Sequence, residues 1–148
     1  MKLWDIGSNK PVFQSKLKER MHDIAVLAPG LTLPTQNSNK SVLMSAISSK
    51  PHNDQLLFFE VADKSFKQIK SIEQKIGIYK AKWLPSALWN HNEEHKIDTN
   101  YLFVCDEAQN ILIYNVQFTR TSGLINKLSV TLDHKFQSGN VDLMEFGF

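Results

Sequence analysis

An all-β chain is predicted from three observations. A four-residue motif recurs at a fixed interval, the apolar runs are of strand length and end at polar turns, and the central runs are apolar on both faces. The motif is Leu3-Trp4-Asp5-Ile6, then Phe58-Phe59-Glu60-Val61, then Ile113-Tyr114-Asn115-Val116. Each copy reads apolar, aromatic, acid or amide, apolar. The aromatic stands at 4, 59 and 114, two successive intervals of 55 residues. The third observation comes from alternation. Tyr101, Phe103 and Cys105 point one way and Leu102 and Val104 the other, while Ile111 and Ile113 oppose Leu112 and Tyr114. A sheet with one wet face would alternate apolar with polar, so two apolar faces predict a sheet packed on both sides.

A period of about 40–60 residues in a β-rich chain predicts four-stranded units of the kind that form propeller blades. The elements then follow in order. Residues 1–17 supply half a blade, with a third strand at Leu3–Ile6 and an outer strand at Pro11–Leu17. Residues 18–72 form a full blade, with an inner strand at Ile24–Pro29, a second at Ser41–Ser48, a third around Phe58–Val61 and an outer one at Phe66–Ile72. Residues 73–118 onward begin another, with strands at Ile76–Pro85, Asn100–Asp106 and Ile113–Val116. Residues 119–148 hold an outer strand and a C-terminal extension that is otherwise unassigned. One stretch competes. Phe13, Leu17, Met21, Ile24 and Ala28 recur at helical spacing, and Lys16–Arg20 contains good helix formers. The 55-residue match of Pro11–Leu17 to Phe66–Ile72 decides for strand. About two and a half blades do not close a ring, which takes at least about four. Exposed sheet faces and a need for further chain, a partner or self-association are therefore expected.

The 148 residues carry 42% hydrophobic and 22% charged side chains, which excludes disorder and coiled coil as a whole-chain class. The net charge of +2 excludes nucleic-acid binding through bulk charge. A local basic stretch runs through Lys64, Lys67, Lys70, Lys75, Lys80 and Lys82, broken by Glu73. Its first four lysines are candidate contacts to RNA or a partner. The competing role is protection of an outer strand edge against sheet-to-sheet pairing. Trp89, in a polar loop, is the aromatic candidate for a partner contact. Trp4, Asp5, Phe59, Trp83 and Tyr114 are expected to be structural.

No catalytic, cofactor or metal residue is predicted. His91-Asn92-Glu93-Glu94-His95 has the form of an inverted zinc-protease motif, but no amphipathic helix surrounds it, and a solvated loop is expected. His22-Asp23 and Asp133-His134 lack a serine in a strand-to-helix elbow and are expected in turns and caps. The six glycines are scattered, so no phosphate loop exists. The single Cys105 cannot form an internal disulfide, and no apolar leader opens the chain. An intracellular, reducing compartment is expected, with Cys105 as a small buried hydrophobe. Asn39-Lys40-Ser41 is then a glycosylation sequon in form only.

Leu3-Trp4-Asp5-Ile6 resembles the Trp-Asp dipeptide that ends the third strand of a WD-repeat blade. The later copies have drifted to Phe-Glu and Tyr-Asn, and Met21-His22 is the nearest match to the Gly-His partner of that motif. The chain is also similar to the end of the second propeller in WD-repeat subunits of the UtpA (transcription-linked) part of the small-subunit processome. That likeness runs from Trp4-Asp5 through Ser41–Ser48, Leu57-Phe58-Phe59 and Lys75–Pro85 to Tyr101–Val104 and Ile111–Tyr114, covering roughly residues 3–116. The resemblance implies a partial WD-repeat propeller and a non-enzymatic scaffold of ribosome biogenesis in the nucleolus. It implies binding to other WD-repeat subunits and to pre-rRNA, without a small-molecule substrate, a cofactor or a membrane. Two rival classes are a general WD-repeat adaptor, such as a substrate receptor or trafficking subunit, and a metal hydrolase built on His91 and His95.

Overall fold

The computed structural model describes residues 2–5, 10–14, 20–27, 41–49, 53–62, 65–84 and 98–137. All regular structure among them is β: β1 (Lys2–Asp5), β2 (Lys10–Gln14), β3 (Arg20–Val26), β4 (Val42–Ser49), β5 (Asp54–Ala62), β6 (Ser65–Gln74), β7 (Ile78–Trp83), β8 (Asp98–Asp106), β9 (Asn110–Thr121) and β10 (Leu124–Gln137). β1 and β2 pair antiparallel as a two-stranded sheet. The remaining strands form two four-stranded antiparallel sheets, ordered β3-β4-β5-β6 and β7-β8-β9-β10. The described strands do not close a ring.

The competing helical spacing across Val12–Ala25 gives no helix in its described part: Lys10–Gln14 and Arg20–Val26 are strands, as the 55-residue match predicts, because β-pairing wins over local propensity. Other expectations change. His22 and Asp23 lie inside β3, and Asp133 and His134 inside β10, so neither pair is in a turn or cap. Residues 119–121 complete β9, and 124–137 form one long outer strand. The inner strand β3 ends at Val26 rather than at Pro29, and residues 28–30 lie outside the described segments.

The two large sheets repeat each other in detail. Phe59 and Tyr114 occupy the third strand of each, paired to Met44 and Leu102 on the second. A bulge in the first strand leaves His22 extra between Met21 and Asp23, opposite Ser48 and Ile47. The same bulge leaves Tyr79 extra between Ile78 and Lys80, opposite Asp106 and Cys105. A second bulge in the outer strand leaves Ile69 extra beside Phe58 and Phe59, and Asp133 extra beside Ile113 and Tyr114. A bulge shifts every later side chain to the other face, so matching bulges keep the two sheets in the same facial register.

The main core lies between these sheets. Leu43, Ile47, Leu56 and Phe58 from the first meet Ala81, Trp83, Leu102, Val104, Leu112 and Tyr114 from the second. A smaller cluster on the outer face of the first sheet holds Met44, Ala46, Leu57 and Phe59 with Met21, Val61 and Phe66, where the Phe59 and Phe66 rings stack at 4.6 Å. Phe59 therefore faces outward, whereas Tyr114 at the matching position faces the other sheet. Both sheets present the same register face in the same direction.

The β9–β10 hairpin turns through two residues, Ser122 (φ 53°) and Gly123 (φ 83°). Positive φ at both positions is the pattern that matches strand twist in tight hairpins.

Candidate interaction surface

The seam between the sheets is built from polar staples as well as apolar contact. β3 and β4 pack on β7. Asp23 Oδ2 accepts the Ala81 N–H at 2.7 Å, and Asp54 Oδ2 accepts the Ile78 N–H at 2.8 Å. Both amides belong to strand β7, the edge of its sheet among the described strands, and the two carboxylates supply acceptors that the β7–β8 ladder does not. The Trp83 indole stands edge-on to Phe58 at 6.3 Å, and its Nε1–H reaches the Ala25 carbonyl at 3.2 Å. Gln74 donates to the Tyr114 hydroxyl at 3.0 Å.

At the opposite edge the β9–β10 hairpin is clamped to the first sheet. The Ser41 N–H donates to the Gly123 carbonyl at 2.9 Å. The buried Glu60 carboxylate accepts from Ser41 Oγ at 2.6 Å and from the Ile125 N–H at 2.5 Å. Arg120 Nη1 donates to the Ser41 carbonyl at 2.6 Å, while its guanidinium lies 4.9 Å from the Phe118 ring centre. A buried carboxylate is tolerable here because its oxygen is met by two donors.

An open cleft of about 430 Å³ lies at one end of the seam, lined by His22, Ser49, Asp54, Lys75, Gly77 and Glu107 among others. His22 Nε2 is 3.0 Å from the Ile78 carbonyl and Nδ1 is 3.1 Å from Ser49 Oγ. A neutral ring donates to the carbonyl through Nε2–H and accepts the serine hydroxyl at Nδ1. Asp23, the histidine's neighbour in sequence, is not its partner. Asp23 instead turns to Ala81, and Ser49 is the residue that spacing alone did not bring forward. No carboxylate among the described hydrogen bonds orients the ring, so the pair ties β3, β4 and β7 together and lacks the third member of an acyl-transfer triad.

The other predicted residues distribute as follows. Phe59, Trp83 and Tyr114 are buried. Trp4 and Asp5 lie on β1, paired with Pro11 and Lys10. Lys67 and Lys70 lie on β6, an edge strand, and Lys75 is exposed just beyond it. Lys64, Trp89, His91, Glu94 and His95 lie outside the described residues. No group of three or more potential metal ligands occurs among the described residues. Burial pushes the Cys105 thiol above its ordinary 9.0, and the Tyr79 hydrogen bond partly opposes it. Burial likewise raises Tyr79, with Cys105 adding to the shift, and raises Tyr114 against the opposing Gln74 bond.

Burial is uneven on the two outer faces, and the middle of the first sheet's far face is closed by Met44, Ala46, Leu57 and Phe59. On the far face of the second sheet Tyr101, Phe103, Ile111 and Ile113 remain partly exposed, in neither hydrophobic cluster. On the far face of the first sheet Ile24 and Val26 are 49% and 55% exposed. Comparison with family models, curated proteins and solved structures finds no match to this chain.

Proposed function

We propose that the protein is a non-enzymatic binding scaffold made of WD-repeat-like propeller blades, acting in early assembly of the small ribosomal subunit. One observation carries the scaffold part. The four-stranded sheet repeats with the same two bulges, and the copies stack in the same sense around a shared core. Stacking units in one sense is how propellers and other repeat proteins generate broad binding surfaces. Burial of the best-placed aromatics, Phe59, Trp83 and Tyr114, fits residues that serve architecture rather than chemistry.

The setting rests on the sequence resemblance to UtpA WD-repeat subunits, from Ser41–Ser48 through Trp83-Leu84-Pro85 to Ile111–Tyr114. In this proposal the partners are other WD-repeat subunits and pre-rRNA, met in the nucleolus during rRNA transcription and processing. Lys64, Lys67, Lys70 and Lys75, with Trp89, are the proposed contacts.

The test is affinity purification of the tagged protein, with identification of the proteins and RNA recovered. Processome proteins and precursor rRNA are expected. Trp83→Ala abolishes recovery by disrupting the seam. Lys67→Ala and Lys70→Ala singly change it little, because phosphate contacts are spread over several lysines and screened by salt. Recovery of neither class by the unmutated protein overturns the setting, and unchanged recovery with Trp83→Ala overturns the dependence on blade integrity.

A further inference from the structure

We propose that the protein forms a twofold-symmetric dimer by edge pairing: β10 of one molecule runs antiparallel to β10 of a second copy, with Val130 on the twofold axis. The inference rests on the exposure and register of one strand and is independent of any role in ribosome assembly.

β10 is the outermost strand of its sheet among the described strands, and at 14 residues it is the longest of them. No described residue covers its second half. Every residue from Thr131 to Gln137 is exposed, Leu132 and Phe136 at 52% each. Leu124, Asn126, Lys127 and Ser129 are exposed in the first half. An outer strand leaves alternate N–H and C=O groups without a ladder partner, and a long one bearing large apolar side chains is a template for another strand.

The strand carries its own complement. Pairing with β9 fixes its faces. Leu128, Val130 and Leu132 stand opposite Phe118, Val116 and Tyr114, on the side of the first sheet. Leu124, Lys127, Ser129 and Thr131 stand opposite Thr121, Thr119, Gln117 and Asn115, on the far side. The bulge at Asp133 then exchanges the faces, so His134 and Phe136, opposite Ile113 and Ile111, are on the far side as well. Asp133 Oδ2 lies 3.6 Å from His134 Nε2, which puts the bulged carboxylate on that side too.

Laid antiparallel on itself about Val130, β10 sets Leu128 against Leu132, Ser129 against Thr131, Lys127 against Asp133 and Leu124 against Phe136. Each of these pairs joins residues of the same face, as antiparallel neighbours require. The other bulged residue, Asn126, meets His134. Opposite charges therefore meet on either side of the axis, apolar pairs form on both faces, and no two like charges stand directly opposite. β6, the outer strand of the first sheet, has no such register. Aligned along its full length on itself, it sets Phe66 against Glu73 and Lys67 against Ile72. The occupant of the β10 edge is thus a second copy, because the match is of this strand to itself. The contact is isologous and closes at two molecules, joining two four-stranded sheets edge to edge.

The experiment is sedimentation velocity of the 148-residue chain over roughly 1 to 200 µM, with circular dichroism to establish that each variant is folded. A concentration-dependent dimer and no larger species are expected. Lys127→Glu or Asp133→Lys sets like charges opposite on both sides of the axis and is expected to weaken the dimer about tenfold at low salt. The double exchange, Lys127→Glu with Asp133→Lys in one chain, is expected to restore it. The deciding arm mixes the two single variants. Opposite charges then meet on both sides, so 1:1 heterodimers form more tightly than either variant pairs with itself. Should a reversal fail to fold, Lys127→Gln and Asp133→Asn replace it, and dimerisation is expected to lose its salt dependence. A strictly monomeric unmutated chain overturns the proposal, and so does growth beyond the dimer, which would mean that two different surfaces meet. Dimerisation that folded Lys127 and Asp133 variants leave unchanged overturns it, as does failure of the double exchange or of the mixture to restore pairing.

Discussion

The indole of Trp83 and the backbone of Ala25 are joined across the seam, Nε1–H to carbonyl oxygen at 3.2 Å, while the ring packs edge-on against Phe58. One side chain thereby supplies apolar burial, an aromatic contact and a hydrogen bond between the sheets. Trp83→Ala is expected to cost ~3–5 kcal/mol, a large part of a domain's usual ~5–15 kcal/mol. Trp83→Phe keeps a ring and removes the indole donor from the Ala25 carbonyl, which Ser45 Oγ still reaches at 3.4 Å, costing less. Urea denaturation of the three proteins checks the order, and a Trp83→Ala loss below ~1 kcal/mol contradicts it.

Glu60 is the second seam residue whose removal is informative. Its carboxylate satisfies the Ser41 hydroxyl and the Ile125 amide. Glu60→Leu leaves the Ile125 amide without its acceptor, while the Ser41 hydroxyl keeps the Gly123 carbonyl at 3.2 Å, an expected loss of ~1–3 kcal/mol. Glu60→Gln retains an acceptor oxygen and is expected to lose less. Equal loss in the two variants, read by denaturant midpoint, counts against the role assigned to the carboxylate.

The β9–β10 turn offers a gain. Ser122 adopts φ 53° beside Gly123 at 83°, a pair for which Asn-Gly is the favoured sequence. Ser122→Asn is expected to raise stability by ~0.5 kcal/mol without altering the fold. An unchanged or lowered thermal midpoint contradicts the turn assignment.

Alkaline pH should destabilise the protein. Burial raises the pKa values of Cys105 and Tyr114 above their ordinary 9.0 and 10.0, so the folded state favours their neutral forms. That stabilisation is complete below about pH 9. It is lost as pH rises through the raised folded values, because the unfolded chain releases these protons first. Tyr114→Phe and Cys105→Ala should each flatten the decline between pH 9 and 11, measured by denaturation at fixed salt. The same shift keeps Cys105 mostly thiol at pH 7, so its alkylation should follow unfolding.

His91 and His95 are expected to hold no metal, since their sequence surroundings lack helical periodicity. Elemental analysis of the purified chain checks this, and stoichiometric zinc that disappears with His91→Ala refutes it.

Strand positions were largely legible in the amino-acid sequence. The apolar runs at Ser41–Ser48, Asn100–Asp106 and Phe66–Ile72 lie within a few residues of β4, β8 and β6, because turn residues bound them and β-rich composition fills them. The 55-residue spacing of Phe59 and Tyr114 likewise reported equivalent places in two sheets.

What the sequence by itself determined is therefore an all-β, repeating chain and the order of its strands. Which face of each strand is covered was decided only in the tertiary structure. Alternation separates two faces, but when both are apolar, as at Phe58 and Phe59 or Ile113 and Tyr114, nothing local says which one meets the neighbouring sheet. The bulges at His22 and Tyr79 settle the facial register, and a bulge is a property of pairing between strands rather than of either strand alone. For the same reason the partners of Asp23, Asp54 and Glu60 could not be read from spacing. Each carboxylate is matched to a backbone amide that only the stacking of one sheet on the next brings within reach.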